Sequence, residues 1–215
     1  MKRSVLFDLD GTLADTIEDL AGAVNRMLAR RDLPRHDLGL YKLMVGDGLR
    51  NLVTRALPED LRREDYIEAA RAEAAADYDL RCLEATAPYP GIPELLAELG
   101  RRGVTCAVIS NKPDAQTKKV IAGLFPGGAF ALVRGETPDF PRKPDPASAL
   151  DICGRLGVAP GDTLYLGDSG VDMKTAKAAG FTALGALWGF RGEAELREAG
   201  ADALLARPLD LLEYL

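Results

Sequence analysis

Histidine occurs once in this chain, at His36, and cysteine three times. One histidine, expected in a loop, leaves a serine–histidine hydrolase dependent on a single poorly placed group. Cys82, Cys106 and Cys153 are odd in number and far apart, and none forms a C-x-x-C pair, which argues against a disulfide framework or a cysteine zinc site. A reduced, cytoplasmic setting is the expectation. No apolar run approaches the ~18 residues of a membrane span. The opening "MKRSVLFDLD" meets a charged residue too soon for a signal peptide, so no membrane partner is expected. Basic runs are also missing: 27 Lys and Arg stand against 33 Asp and Glu, a net charge of −6, which excludes the usual nucleic-acid footprint. There is no G-x-x-x-x-G-K-[ST] for a P-loop. "GDSGV" fails as a nucleophile elbow at Val171, and "GDGLRN" fails as a dinucleotide fingerprint at Asn51, with no strand before it. Internal repeats are absent. What remains is a small-molecule protein, monomer or homodimer, of 215 residues, enough for one core and an added module.

What is present is alternation. "SVLF", "VTCAVIS", "FALV", "TLYLG" and "FTALGAL" are short apolar runs, each leading into a polar or glycine turn and usually a helix-like segment. That order predicts an α/β fold, a doubly wound parallel sheet covered by helices. Helical spacing is clear in "PELLAELGRRG" and in "VDMKTAKAAG", both closing on glycine. From Asp15 to Ala85 no strand-like run occurs. "IEDLAGAVNRMLARR" and "REDYIEAARAEAAADYDLRCLE" read as helices, so residues 16–85 form an inserted helical module and residues 1–15 and 86–215 the α/β core. "EATAPYPGIP", with three prolines, reads as the return linker.

Charge is concentrated where the first strand ends. "VLFDLDGTLADT" places Asp8 and Asp10 two apart, toward one crevice while extended geometry lasts, and Gly11 permits a sharp turn beside them. Ligands bind at the C-terminal ends of strands in open α/β sheets. "AVIS" ends at Ser110, followed by Asn111, and "LYLGD" ends at Asp168, with Asp172 a helical turn later. Four converging carboxylates repel. Lys143 in "RKPDP" and a divalent ion relieve them, and an all-oxygen set suits Mg²⁺. One protonated aspartate then brings the site to neutrality, which admits a phosphate dianion. Asp15 and Asp19 are expected in the first turn of a helix. For Asn111 and Lys112, a capping or solvent-facing place is as open as a functional one.

"DLDGT", "SN", "KPDP" and "GDSGVD" occur in the order, and at the strand positions, typical of the haloacid dehalogenase superfamily, and the chain resembles it over most of its length outside the insert. The resemblance implies that Asp8 is a nucleophile forming an aspartyl-phosphate. Asp10 would be the general acid and then base. Mg²⁺ would be held by Asp8, the Asp10 carbonyl and Asp168, with Asp172 in or near its shell. Ser110, Asn111, Gly11 and Thr12 would contact phosphate, and Lys143 would pair with nucleophile and phosphate. Asp10 favours C–O–P cleavage over dehalogenation or phosphonate cleavage. The insert resembles the helical cap of the subfamily that includes phosphoglycolate phosphatases, sugar-phosphate phosphatases and β-phosphoglucomutase. "LMVGDGLRNLV", "SNKP" and the "WGFRGEAELREAG" region are most similar to the first of these. The implied substrate is a small phosphorylated metabolite, 2-phosphoglycolate, its carboxylate met by Arg50 just after Gly46 and Gly48, with Lys42 behind and Arg191 as a second candidate. A sugar-phosphate phosphatase or mutase shares the same core residues. A signalling phosphoacceptor is the rival from another class.

Overall fold

The run Ser4–Phe7 is buried at every position, as a strand must be when helices cover both faces of its sheet. A computed structural model describes residues 2–215. In chain order its elements are β1 (Ser4–Phe7), β2 (Ala14–Asp15), α1 (Ile17–Arg30), α2 (Leu38–Met44), α3 (Leu49–Ala56), α4 (Glu64–Arg81), β3 (Ala87–Pro88), α5 (Ile92–Arg101), β4 (Thr105–Pro113) and α6 (Asp114–Leu124). They continue with β5 (Leu132–Glu136), α7 (Ala147–Leu156), β6 (Thr163–Gly167), α8 (Gly170–Ala179), β7 (Thr182–Ala186), α9 (Glu193–Glu198) and β8 (Ala203–Leu205).

Six strands form one sheet in the order β5-β4-β1-β6-β7-β8, with parallel pairing throughout. Ser4 lies opposite both Thr105 and Thr163, and Phe7 opposite both Val108 and Leu166. This shared register brings the C-terminal ends of β1 and β6 level with Val108 of β4, which runs on past them to Pro113. Strand order reverses about β1, so the crevice for a ligand opens there. A buried hydroxyl pair, Ser4 Oγ and Thr163 Oγ1 at 2.8 Å, fixes the opposite end of β1 to β6.

One side of the sheet is closed by Leu6, Ile109, Ile152, Tyr165, Met173 and Phe181. The rings of Tyr165 and Phe181 stack at 6.4 Å. Burying side chains of this size contributes about 1.5–3 kcal/mol each. Gly180, in the left-handed conformation, ends α8 as expected of a glycine after a helix. Three departures from the sequence pattern concern edges. β5 starts two residues later than the "FALV" run, and β8 emerges from "ADALLA", a stretch too short for an alternation signal. Asp15 lies in β2 rather than in a helix, because α1 begins only after Thr16.

The chain divides into two compact units, Met1–Asp15 with Pro88–Leu215, and Thr16–Ala87. The second is helical. In it α1 turns Leu20, Val24, Met27 and Leu28 inward and packs chiefly on α4, whose fully buried Ala70 and Ala74 leave room for close approach. Asp77 of α4 is buried between Arg26 and Arg30, at 2.6 and 2.7 Å. Asp19 sits in the first turn of α1 as expected, yet its carboxylate does more than meet the helix dipole. It accepts from the Ala85 and Thr86 backbone N–H groups and from the Thr86 hydroxyl, at 3.0, 2.9 and 2.6 Å.

Candidate active site

The site is built wholly within the sheet unit, from the ends of three neighbouring strands. Asp8 directly follows β1, and its backbone N–H donates to Leu166 of β6, so the strand ladder fixes its position. The chain then turns at Gly11, where φ is +87°. A Cβ at Gly11 would lie 2.3 Å from Asp168 Oδ2. Glycine is therefore required twice over, by the backbone angle and by the approach of a carboxylate.

Lys143 organises the centre. Its ammonium donates to Asp8 Oδ1 at 2.8 Å, Asp172 Oδ1 at 2.7 Å and the Ile109 carbonyl at 3.3 Å, which accounts for its three protons. Burial alone would disfavour the charged lysine, but the carboxylates of Asp172 and Asp8 outweigh it and hold the ammonium well above its usual range. The lysine is aimed by Asn111. That side chain donates to the Lys143 carbonyl at 3.1 Å and accepts from the Lys143 N–H at 2.9 Å, so β4 and the Lys143 loop are pinned together. Asn111 thus meets the backbone of the lysine, where a phosphate contact was expected.

Asp8, Asp168 and Asp172 bring oxygens within 4.8 Å of one another. At that distance two unit charges repel by about 3.5 kcal/mol at an effective dielectric near ~20. The proton affinities record the crowding. Burial first, and then the Asp172 charge, push Asp8 up to about 7 against the opposing pull of Lys143. Burial and the charges of Asp172 and Asp8 push Asp168 well above the carboxylate range. Three buried carboxylates facing one ammonium are two positive charges short, so the donor set fits one hard divalent cation with oxygen ligands. Within the set, Asp172 is the most committed. Its Oδ2 accepts from the Ser169 hydroxyl at 2.6 Å and N–H at 3.1 Å in a capping box on α8, and its Oδ1 accepts from Tyr165 at 3.2 Å besides Lys143. Asp172 therefore aims the lysine at Asp8. Asp168 accepts from Thr12 Oγ1 at 3.3 Å and from the Phe190 N–H at 2.8 Å.

Asp10 has separate surroundings. The Lys112 ammonium lies 2.9 Å from each of its carboxylate oxygens, and that lysine side chain is only 3% exposed. Lys112 is neither solvent-lining nor a cap of α6, whose N-cap is Pro113 without a side-chain bond. The Ser110 hydroxyl oxygen accepts from the Lys112 N–H at 3.2 Å.

A strand ending in a buried aspartate, a buried lysine and a paired acid turn on a switched parallel sheet agree with the sequence comparison: the model describing haloacid dehalogenase-like hydrolases matches residues 5–186. The chain belongs to the haloacid dehalogenase-like hydrolase family. Among relatives in this family, the phosphoglycolate phosphatase of Pseudomonas putida is 37% identical over 193 residues, covering 88% of this chain and 71% of its own. That of Aquifex aeolicus is 34% identical and covers 99% of this chain and 96% of its own. The crystal structure of a candidate phosphoglycolate phosphatase from Lactobacillus delbrueckii subsp. bulgaricus superposes with TM-score 0.93 at 29% identity, over 100% of this chain and 98% of that one. CbbY from Rhodobacter sphaeroides, in complex with phosphate, has TM-score 0.82 at 25% identity, over 98% and 96%.

Of the hydrolase motifs, Asp8, Asp10, Gly11, Thr12, Ser110, Asn111, Lys143, Asp168 and Asp172 all come together at this sheet edge. Arg50, Lys42 and Gly46 lie outside the sheet unit. They belong to the helical unit, where Arg50 donates to Glu64 at 2.5 Å and Glu68 at 3.2 Å, Lys42 is an exposed residue of α2, and Gly46 has φ +123° between α2 and α3. Arg191 in the sheet unit pairs with Glu195 at 3.4 Å. His36 is a loop residue whose ring lies 2.8 Å from the Ala56 carbonyl. Sequence reasoning missed the supporting layer. Trp188 Nε1 donates to the Thr12 carbonyl at 3.0 Å, and the Phe190 N–H donates to Asp168, so the "WGF" turn braces the Gly11–Thr12 loop. Tyr165 also went unnoticed, since a tyrosine inside an apolar strand reads only as core.

Proposed function

We propose that this chain is a Mg²⁺-dependent hydrolase of small phosphate monoesters, with 2-phosphoglycolate the favoured substrate and Asp8 the transient phosphoryl carrier. The arrangement that supports it is the division of labour on one loop: Asp8 held by Lys143 at 2.8 Å and Asp10 held by Lys112 at 2.9 Å. Two carboxylates in different surroundings can take different roles, nucleophile and proton carrier. The phosphatase relatives and the phosphate-bound neighbour point to the same chemistry.

An Asp8 oxygen attacks phosphorus while the bond from phosphorus to the ester oxygen breaks. Asp10 gives that oxygen a proton and the alcohol departs. A water then attacks the phosphorus of the acyl phosphate, Asp10 takes the water's proton, and the bond to Asp8 breaks to release inorganic phosphate. Lys143 keeps positive charge beside Asp8 through both halves, and Ser110, Gly11 and Thr12 line the place of the phosphoryl oxygens. Asp8, Asp168 and the Asp10 carbonyl, with Asp172 beside them, would hold Mg²⁺, which would supply positive charge toward the transferring group. The helical unit, residues 16–85 in the sequence division, is assigned the part of a cap that contributes selectivity. Activity in a reduced cytoplasmic setting is part of the proposal, as is a monomer or homodimer.

Phosphate release over a panel of phosphoglycolate, hexose phosphates, nucleoside monophosphates and pyrophosphate, with Mg²⁺ and with chelator, tests the reading. Phosphoglycolate should lead, and only with metal. In the same assay Asp10→Ala should abolish turnover of alkyl phosphates far more than of activated aryl phosphates, and equal losses would remove Asp10 from its acid role.

A further inference from the structure

The Asp10–Lys112 pair raises a question the proposed mechanism leaves open: why a proton carrier should be gripped by a buried ammonium. We infer that Lys112 is the residue that recognises the carboxylate of the substrate, and that substrate carboxylate and Asp10 exchange places on it. The inference rests on the proposed reading of the substrate as an α-phosphooxy carboxylate, and it names the group that reads it.

Reach limits which group the ammonium can meet. Asp10 must come within about 2.8 Å of the departing oxygen to give it a proton. Lys112 Nζ is 2.9 Å from both oxygens of Asp10. As the substrate arrives, with Asp10 still on the ammonium, two consecutive hydrogen bonds place Lys112 Nζ within about 6 Å of the departing oxygen. In phosphoglycolate a single methylene separates that oxygen from the carboxylate carbon. Its carboxylate oxygens thus come within reach of Lys112. A longer substrate would carry its charge past this ammonium, and an uncharged one would leave it on Asp10.

Burial makes the contact selective. The Lys112 side chain is 3% exposed, and Asp10 13%. A charge so shielded from water bonds strongly to an anion and is costly to strand. The two arginines proposed for this task carry more exposed ion pairs, Arg50 with Glu64 and Glu68 and Arg191 with Glu195. Lys112 also stands on β4 two residues beyond Ser110, so the strand that positions the phosphoryl contact positions the carboxylate contact at a fixed spacing. When the substrate carboxylate takes the ammonium, Asp10 is released toward the departing oxygen. Recognition then raises kcat as well as lowering KM, because the group that identifies the substrate also frees its acid.

The test compares 2-phosphoglycolate with 2-hydroxyethyl phosphate, which keeps the ester and loses the charge, in wild type, Lys112→Met and Lys112→Arg. Wild type should prefer phosphoglycolate, and Lys112→Met should cut that ratio of kcat/KM values by about ten- to a hundredfold, the worth of a charge-assisted contact. Lys112→Arg should retain most of it. Calorimetric binding of 3-phosphonopropionate against propylphosphonate should show the same loss of preference without turnover. If Lys112→Met does not fold, by its thermal melt, Lys112→Gln replaces it. A wild type that prefers phosphoglycolate and a variant that loses both substrates equally would overturn this inference alone, leaving Lys112 as a holder of Asp10. A wild type without preference would overturn the substrate assignment and the inference with it, while phosphomonoester hydrolysis itself would stand.

Discussion

Lys143 reaches Asp8 at 2.8 Å across 135 residues of chain, and the same ammonium holds Asp172 at 2.7 Å. One cation between two buried carboxylates sets the electrostatics of the candidate site. It steadies the Asp8 charge but does not neutralise the cluster, since Asp8 is still pushed up to about 7. The cluster at this edge is relieved by a proton on Asp8 or Asp168, or by a cation.

Stability should carry that imbalance as a pH dependence. Asp8 binds its proton more tightly folded than unfolded, so in chelator-treated protein its contribution falls as pH rises from about 4 to about 7. Asp168, also raised, acts in the same direction. Asp8→Asn carries no such charge. The variant should gain on wild type by a few kcal/mol between the two ends of that window, and Mg²⁺ should close the gap. Urea unfolding midpoints at pH 4.5 and 7.5 check this. Hydrolysis by the same variant should drop by at least about three orders of magnitude.

Removing the cation should be worse than removing the acid. Lys143→Met leaves Asp8 and Asp172 buried without their partner, a defect that costs about 3–5 kcal/mol. Asn111→Ala leaves the lysine but unties its backbone at two bonds, and should cost about 1–3 kcal/mol with a smaller fall in kcat. Thermal unfolding and initial rates on both variants measure the order.

Gly11→Ala tests the turn. Its Cβ would meet Asp168 at 2.3 Å, with a backbone at φ +87° that side chains resist. Loss of stability by about 1–3 kcal/mol is expected, together with a higher Mg²⁺ concentration for half-maximal activity, because Asp168 must move. A titration of rate against Mg²⁺ shows it.

The helical unit should respond to pH in the opposite sense. Burial raises Asp77, but the hydrogen bonds and charges of Arg26 and Arg30 outweigh it and hold the acid below its usual range. Its stabilising share is present above the unfolded pKa of about 4 and is lost as pH falls through the folded value. Asp77→Ala should therefore destabilise at pH 7 and matter much less near pH 3, as read by the melt of the two proteins at each pH.

What the linear chain determined is local and repetitive. Apolar runs such as Ser4–Phe7 and Thr163–Gly167 dictate buried strands wherever they occur, and the glycine after α8 stops a helix without help from elsewhere. Because parallel strands must align and ligands gather where strand order reverses, Asp8, Ser110 and Asp168 were legible as neighbours from strand ends alone. Only the tertiary structure decided which charge faces which. Lys112 could have met water as easily as Asp10, Arg50 could have faced water and meets Glu64 and Glu68, and Tyr165 looked like core until its hydroxyl met Asp172. Side-chain pairing falls off within a few ångströms, whereas strand and helix patterns persist along the chain. A pattern can thus be seen in one dimension, while a partner is known only once packing has set the distance.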